Sequence, residues 1–214
     1  MSSSATRLFR SLVFVMACAS CVLARAQGGT DQQLAAQYLQ QGDYDKAVLY
    51  YEKLYKTQPT SYFYEQLYKT YVALKQYDDA EKLAKDQMRR QDGDPRFLVD
   101  IGQLKKLQGD DDKAKQQFNK AIKSLKADQG SIRRLANAFV NDNELDYALE
   151  TYERGRKLMN DDATGFFYET ASIRAAKGDV AVMISDYMDL VQSNPAYLQA
   201  VQNGLARFID FTAT

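Results

Sequence analysis

The chain has 214 residues, with 28 Lys and Arg against 28 Asp and Glu, and it contains no His. This even balance of charge gives no electrostatic basis for binding nucleic acid. Without His, and with both Cys at positions 18 and 21, residues 27–214 cannot build a Ser-His-Asp site, a Cys-His site or a His-ligated zinc site. The glycines occur singly and never as a phosphate-binding loop, so no nucleotide cofactor is expected. We also expect no metal and no small-molecule substrate.

The first 26 residues predict a cleavable secretory signal. Arg7 and Arg10 precede an apolar run from Leu12 to Leu23, and Ala24-Arg25-Ala26 has the small-x-small form of a cleavage site. The run is well short of the roughly 20 residues that a membrane-spanning helix needs. We therefore expect export to the periplasm or cell envelope, or secretion.

Between residues 28 and 197, five stretches resemble one another at a spacing of 33 to 35 residues. Each stretch combines two helix-like apolar stripes with a short turn, and repeats of this length are typical of helical arrays. Several turns supply a Gly for the end of one helix and an Asp to cap the next, as in Gln41-Gly42-Asp43, Gln108-Gly109-Asp110 and Lys177-Gly178-Asp179. The second stripe of each repeat is anchored on a small or adaptable residue: Ala47, Ala80, Ala114, Ala148 and Met183.

The pattern resembles the tetratricopeptide repeat (TPR). In the first repeat the matching residues are Leu34, Ala35, Tyr38, Gly42, Tyr44, Ala47, Tyr51, Leu54 and Pro59. The resemblance implies an all-α, right-handed superhelix of antiparallel helix pairs, with five repeats over 28–197. Residues 198–214 are then either a capping helix or the first helix of a truncated sixth repeat. In the third repeat Lys105 replaces the usual aromatic residue, so we expect its helix either to be rotated slightly or to lean on Leu104 and Leu107.

Ten of the fifteen tyrosines fall between Tyr38 and Tyr77. Tyr50, Tyr55 and Tyr62 lie off the predicted core stripe and are expected to be exposed, where tyrosines make good partner contacts. The others occupy core positions of the repeats and are expected to pack inside: Tyr38, Tyr44, Tyr51, Tyr64, Tyr68, Tyr71 and Tyr77.

The resemblance also implies that the first helix of each pair lines a concave face that binds peptides or partner helices. Arg133 with Asn137 resembles part of a clamp for a peptide C-terminal carboxylate, although Glu169 in the next repeat does not suit that clamp. Transferred in frame, the candidate partner-binding residues are Tyr62, Glu65, Lys69, Asp100, Lys106, Arg133, Arg134, Asn137, Asn141 and Tyr168.

These features predict a non-catalytic scaffold of the periplasm or cell envelope that binds another protein or peptide on its concave face. The alternative is a lipid-anchored structural subunit of an envelope complex, because Val15-Met16-Ala17-Cys18 loosely resembles a lipoprotein cleavage box. Membrane attachment is expected only if Cys18 is acylated. An enzyme using paired carboxylates is the remaining alternative, but the Asp92–Asp94, Asp110–Asp112 and Asp161–Asp162 clusters sit where helices need caps.

Overall fold

A computed structural model describes residues 30–159 and 166–212, with side chains as far as residue 206. Every regular element in these residues is helical, which confirms the predicted all-α fold. The predicted signal, Cys18 and the Asp161–Asp162 pair lie outside the described residues. The helices are α1 (30–40), α2 (Tyr44–Thr57), α3 (Ser61–Ala73), α4 (Tyr77–Arg90), α5 (Arg96–Leu107), α6 (Asp111–Lys123), α7 (Gln129–Asn141), α8 (Leu145–Met159), α9 (Phe167–Lys177), α10 (Val180–Ser193) and α11 (Leu198–Thr212), with a 3₁₀ turn at Pro195–Tyr197 before α11.

The turns between paired helices follow the sequence prediction in most places. Gly42, Gly109 and Gly178 adopt φ of +74°, +79° and +80°, the left-handed conformation that ends a helix and that glycine adopts without steric cost. The Asp110 side chain accepts a hydrogen bond from the Lys113 backbone N–H at 3.1 Å, as a cap should. Asp179 was expected to cap α10 but makes no capping hydrogen bond.

The described residues divide into two compact units, with unit 1 ending at Gln87 and unit 2 beginning at Met88, inside α4. Within unit 2, α5 packs with α6, α7 with α8 and α9 with α10, in the order that short connections impose on antiparallel neighbours. The anchors Ala47, Ala80, Ala114, Ala148 and Met183 are all buried, which confirms their predicted role.

The third repeat departs from the prediction at one residue. Leu104 is fully buried, as expected. Leu107 is 53% exposed, so it does not pack in the core as predicted. The ring of Phe118 packs directly against Gly102, which has no side chain. A Cβ on residue 102 would lie 2.2 Å from that ring. Tyr44 was also misplaced, since it begins α2 beside the turn and its side chain is exposed.

Among the described residues, no helix is both long and apolar enough to span a membrane.

Candidate protein-binding face

In unit 1, the predicted site residues share one face of α3. Tyr62, Glu65 and Lys69 are spaced three and four residues apart, which places them on the same side of a helix, and all three are exposed. The Tyr62 hydroxyl also hydrogen-bonds the buried Tyr51. Burial, with a contribution from Tyr62, raises the pKa of Tyr51 to about 12. Tyr62 therefore connects the exposed face to the interior of unit 1.

Two of the three tyrosines that were expected to be exposed are less exposed than predicted. Tyr55 is only 8% exposed, and its hydroxyl donates to Oε1 of Gln87 at 2.7 Å. It lies one turn after Tyr51 and so extends the buried side of α2 toward α4. Tyr50 is half-buried, with its ring stacked on Tyr38 at 5.7 Å between centroids. Only Tyr62, at 45% exposure, is as open as predicted.

In unit 2, Arg133 on α7 is already engaged. Its Nε donates to Oε1 of Glu169 on α9 at 2.8 Å, and one terminal nitrogen donates to Oε1 of Gln129 at 3.1 Å. The guanidinium also lies 5.1 Å from the ring centre of Phe166, which is buried with a left-handed backbone at the start of α9. The carboxylate that the predicted clamp would bind is thus supplied by Glu169 of the same chain.

Arg134 and Lys106 are paired in the same way. Arg134 Nε lies 3.4 Å from Oδ2 of Asp94, and a terminal nitrogen donates to Oγ of Ser131 at 3.1 Å. Lys106 Nζ donates to Oε1 of Glu144, and this hydrogen bond raises the pKa of Lys106. The three basic candidate residues Lys106, Arg133 and Arg134 are therefore paired with acidic neighbours. Glu144 was the residue that sequence reasoning missed.

The remaining candidates in unit 2 are polar and accessible. Asn137 and Asn141 lie one turn apart on α7 and are exposed, and within the described part of the chain their side-chain amides have no hydrogen-bond partner. The Tyr168 hydroxyl on α9 donates to the carbonyl of Ala200 on α11 at 3.2 Å, while the ring stays 46% exposed. Asp100 on α5 is half-buried and makes a polar contact of its own.

The carboxylate clusters serve helix ends in the described residues. Asp94 Oδ1 accepts from the backbone N–H of Arg96 at 3.0 Å, and Asp110 caps α6. No three His, Cys, Asp or Glu side chains come together as metal ligands in residues 30–159 and 166–206. The predicted capping role of Asp94 and Asp110 is confirmed.

The paired helices and their small anchoring residues define an α-helical repeat protein. The tetratricopeptide repeat family model matches residues 32–61 and 95–124. These two segments are therefore tetratricopeptide repeats, as the sequence pattern predicts. No curated protein matches the sequence.

Several solved structures are similar at low identity. The thermophilic TPR protein TTC0263 of Thermus thermophilus is 16% identical, with 87% of this chain and 100% of that one covered and a TM-score of 0.43. MamA of Desulfovibrio magneticus RS-1 is 13% identical, with coverages of 78% and 96% and a TM-score of 0.39. The TPR2AB domain of yeast Sti1, solved in complex with pHSP90, is 13% identical, with coverages of 88% and 86% and a TM-score of 0.38. At these TM-scores the similarities carry no argument about function.

Proposed function

We propose that the protein is an exported, non-catalytic scaffold of the periplasm or cell envelope, which binds a protein or peptide across the first helices of its repeats. TPR proteins generally mediate protein–protein interactions, which supports the binding part of this proposal. Export rests on the predicted signal over residues 1–26.

The observation that carries the proposal is the make-up of the α5, α7 and α9 surface. The ion pair between Arg133 and Glu169 joins α7 to α9 and is partly exposed, and Lys106 and Arg134 pair with Glu144 and Asp94 next to the helices. Exposed pairs of this kind contribute about 0–1 kcal/mol each to stability, and here they balance the charges of the surface. The surface therefore presents partly exposed polar side chains that a partner can contact.

The chemistry of this surface favours an extended polypeptide over a terminal carboxylate. Asn137 and Asn141 each offer an amide donor and acceptor, which match the N–H and C=O groups of a peptide backbone. A free carboxylate would have to displace Glu169 from Arg133 Nε, where it already makes a 2.8 Å hydrogen bond. We therefore propose that the partner presents main-chain groups to α7, with Tyr168 providing an aromatic contact.

A capture experiment with matched variants tests this binding face. The immobilised protein is exposed to an envelope extract of its source cell, beside Asn137→Arg on α7 and Asn119→Arg on α6. Both asparagines are exposed on helices, so the two changes add the same side chain to different surfaces. Binding that is lost only with Asn137→Arg supports the proposal. Equal capture by both variants would place the binding site elsewhere.

The mass of the protein recovered from its own cells tests export. A chain beginning at Gln27 is the expected result, because Ala24-Arg25-Ala26 is the better-formed cleavage site. A chain beginning at an acylated Cys18 would instead favour the lipid-anchored subunit of an envelope complex. An intact Met1 would contradict both.

A further inference from the structure

Helix α10 differs in composition from the other second helices. Residues 180–206, which include α10 and most of α11, contain Asp186 and Asp189 but no Lys or Arg. The corresponding helices α4 and α6 carry acidic residues in the first turn and basic residues in the last. Helix α10 therefore has fewer charged side chains than these two helices.

The apolar residues of α10 form two stripes. Met183, Tyr187 and Leu190 are buried in the core of unit 2. A second stripe, which we call the outer stripe, consists of the exposed Ala181, Ile184 and Met188 together with Val191, which is partly buried against the core. Ile184 is 45% and Met188 is 56% exposed. The outer stripe has the alternating three- and four-residue spacing by which helices pack along a seam.

The equivalent face of the preceding repeat is covered. By the 35-residue spacing, Ile184, Met188 and Val191 correspond to Leu149, Glu153 and Arg156 on α8. Leu149 is buried, and all three line a cavity of about 180 Å³ against residues of α9 and α10. In unit 2, this side of α8 therefore faces the helices of the next repeat, α9 and α10. On α10 the same side is apolar, with Ile184 and Met188 exposed and Val191 partly buried against the core.

We propose that the outer stripe binds a second copy of this chain, antiparallel and about a two-fold axis. The stripe is symmetric about position 186, so Ile184 of one copy meets Met188 of the other. Ala181 then meets Val191 in the same way. A two-fold contact needs such self-complementarity, because the same patch serves both partners.

Charge permits this contact between copies. Asp186 and Asp189 face the other way, into the cavity beside Arg156 and Arg174, and Asp186 Oδ2 lies 2.6 Å from Arg174 Nε. No like charges are therefore brought together when two outer stripes meet. Asp186 pairs instead with Arg174 of its own chain, and Asp189 lines the same cavity.

The length of the outer stripe limits the expected affinity of the dimer. A helix of 14 residues is about 21 Å long. One helix face of that length buries less than the roughly 800 Å² per partner of a standard stable interface. The dimer is therefore weak and reversible, with a dissociation constant in the micromolar range.

Sedimentation velocity of the purified chain over a range of concentrations tests the dimer. Ile184→Lys and Met188→Glu introduce residues found at equivalent positions in α6 (Lys115) and α8 (Glu153), so the helix should tolerate them. Each should raise the dissociation constant at least about tenfold, since it buries a charge in an apolar seam. Val182→Glu is the matched control, because Val182 is also 45% exposed but lies off the stripe. It should leave the dimer unchanged.

Mixing the two variants tests the antiparallel register. In a mixed dimer, the lysine introduced at position 184 faces the glutamate introduced at position 188, and the native Ile184 and Met188 meet at the other contact. The mixture should associate more tightly than either variant alone, with far-UV circular dichroism confirming equal helix content. A wild-type chain that stays monomeric at every concentration overturns the proposal, even if the stripe binds another protein's helix. Variants that dimerise like the wild type, or a mixture that stays monomeric, overturn it as well.

Discussion

The two units fill the same repeat positions with different aromatic residues. Tyr51 and Tyr71 in unit 1 correspond to Phe118 and Phe139 in unit 2. The two phenylalanines pack edge to face at 5.4 Å between centroids and need no polar partner. Tyr71 instead donates to Oε1 of Glu52 at 2.7 Å. The repeat accepts either residue, but tyrosine links the interior to polar groups at the surface.

The largest expected effect is that of Phe118→Ala in unit 2. The side chain is fully buried and contacts Phe139 and Tyr147, so its removal should lower the free energy of unfolding by about 3–5 kcal/mol. Urea unfolding followed by circular dichroism measures the loss. Asn119→Ala, on the exposed side of α6, is the control and should change stability by less than about 0.5 kcal/mol. A similarly small effect of Phe118→Ala would mean that unit 2 does not depend on this aromatic cluster.

A smaller effect is expected from Gln87→Leu in unit 1. Gln87 is buried and accepts the Tyr55 hydroxyl at 2.7 Å, with Asp86 as a weaker acceptor at 3.4 Å. Removing the main acceptor should cost about 1–3 kcal/mol in urea unfolding, because a buried hydroxyl is left poorly satisfied.

Tyr55→Phe in the Gln87→Leu background should recover part of that loss. The double variant removes both partners, so the two single losses should not add. Strict additivity would show that the 2.7 Å hydrogen bond contributes little and would weaken the contrast between the units.

The smallest effect at neutral pH is expected from Tyr51→Phe. Burial, aided by Tyr62, raises the pKa of Tyr51 to about 12 from an ordinary value near 10. The contribution of the protonated Tyr51 hydroxyl to folding stability is therefore fully present below about pH 10 and is lost as the pH rises toward about 12. Tyr51→Phe should cost about 0.5–1.5 kcal/mol near pH 7, for the lost hydrogen bond to Tyr62. It should also make the alkaline loss of stability smaller than in the wild type.

Urea midpoints at neutral and alkaline pH measure this difference. Tyr152→Phe in unit 2 should behave similarly in alkali, because burial also raises the pKa of Tyr152 to about 12. An unchanged alkaline loss in both variants would show that neither hydroxyl titrates with folding.

The exposure of several candidate residues was predicted correctly, but the pairing of the charged ones was not. Tyr62, Asn137 and Tyr168 were expected on exposed first-helix faces, and they lie there, because a helical period decides which side of a helix a residue occupies. The neutralisation of Arg133 was not predicted, since Glu169 lies 36 residues away and comes close only when α7 and α9 pack. The burial of Tyr55 was missed for the same reason, as its partner Gln87 belongs to α4.

By itself, the sequence determined the all-α repeat, the place of most turns and the buried anchors. These follow from local periodicity and from the backbone freedom of glycine, both of which act within a few residues. Tertiary structure alone decided which charges are paired, which tyrosines are buried and that Ile184 and Met188 remain open on α10. Those properties depend on side chains one repeat apart meeting in space, and the spacing of residues along one helix carries no information about that meeting.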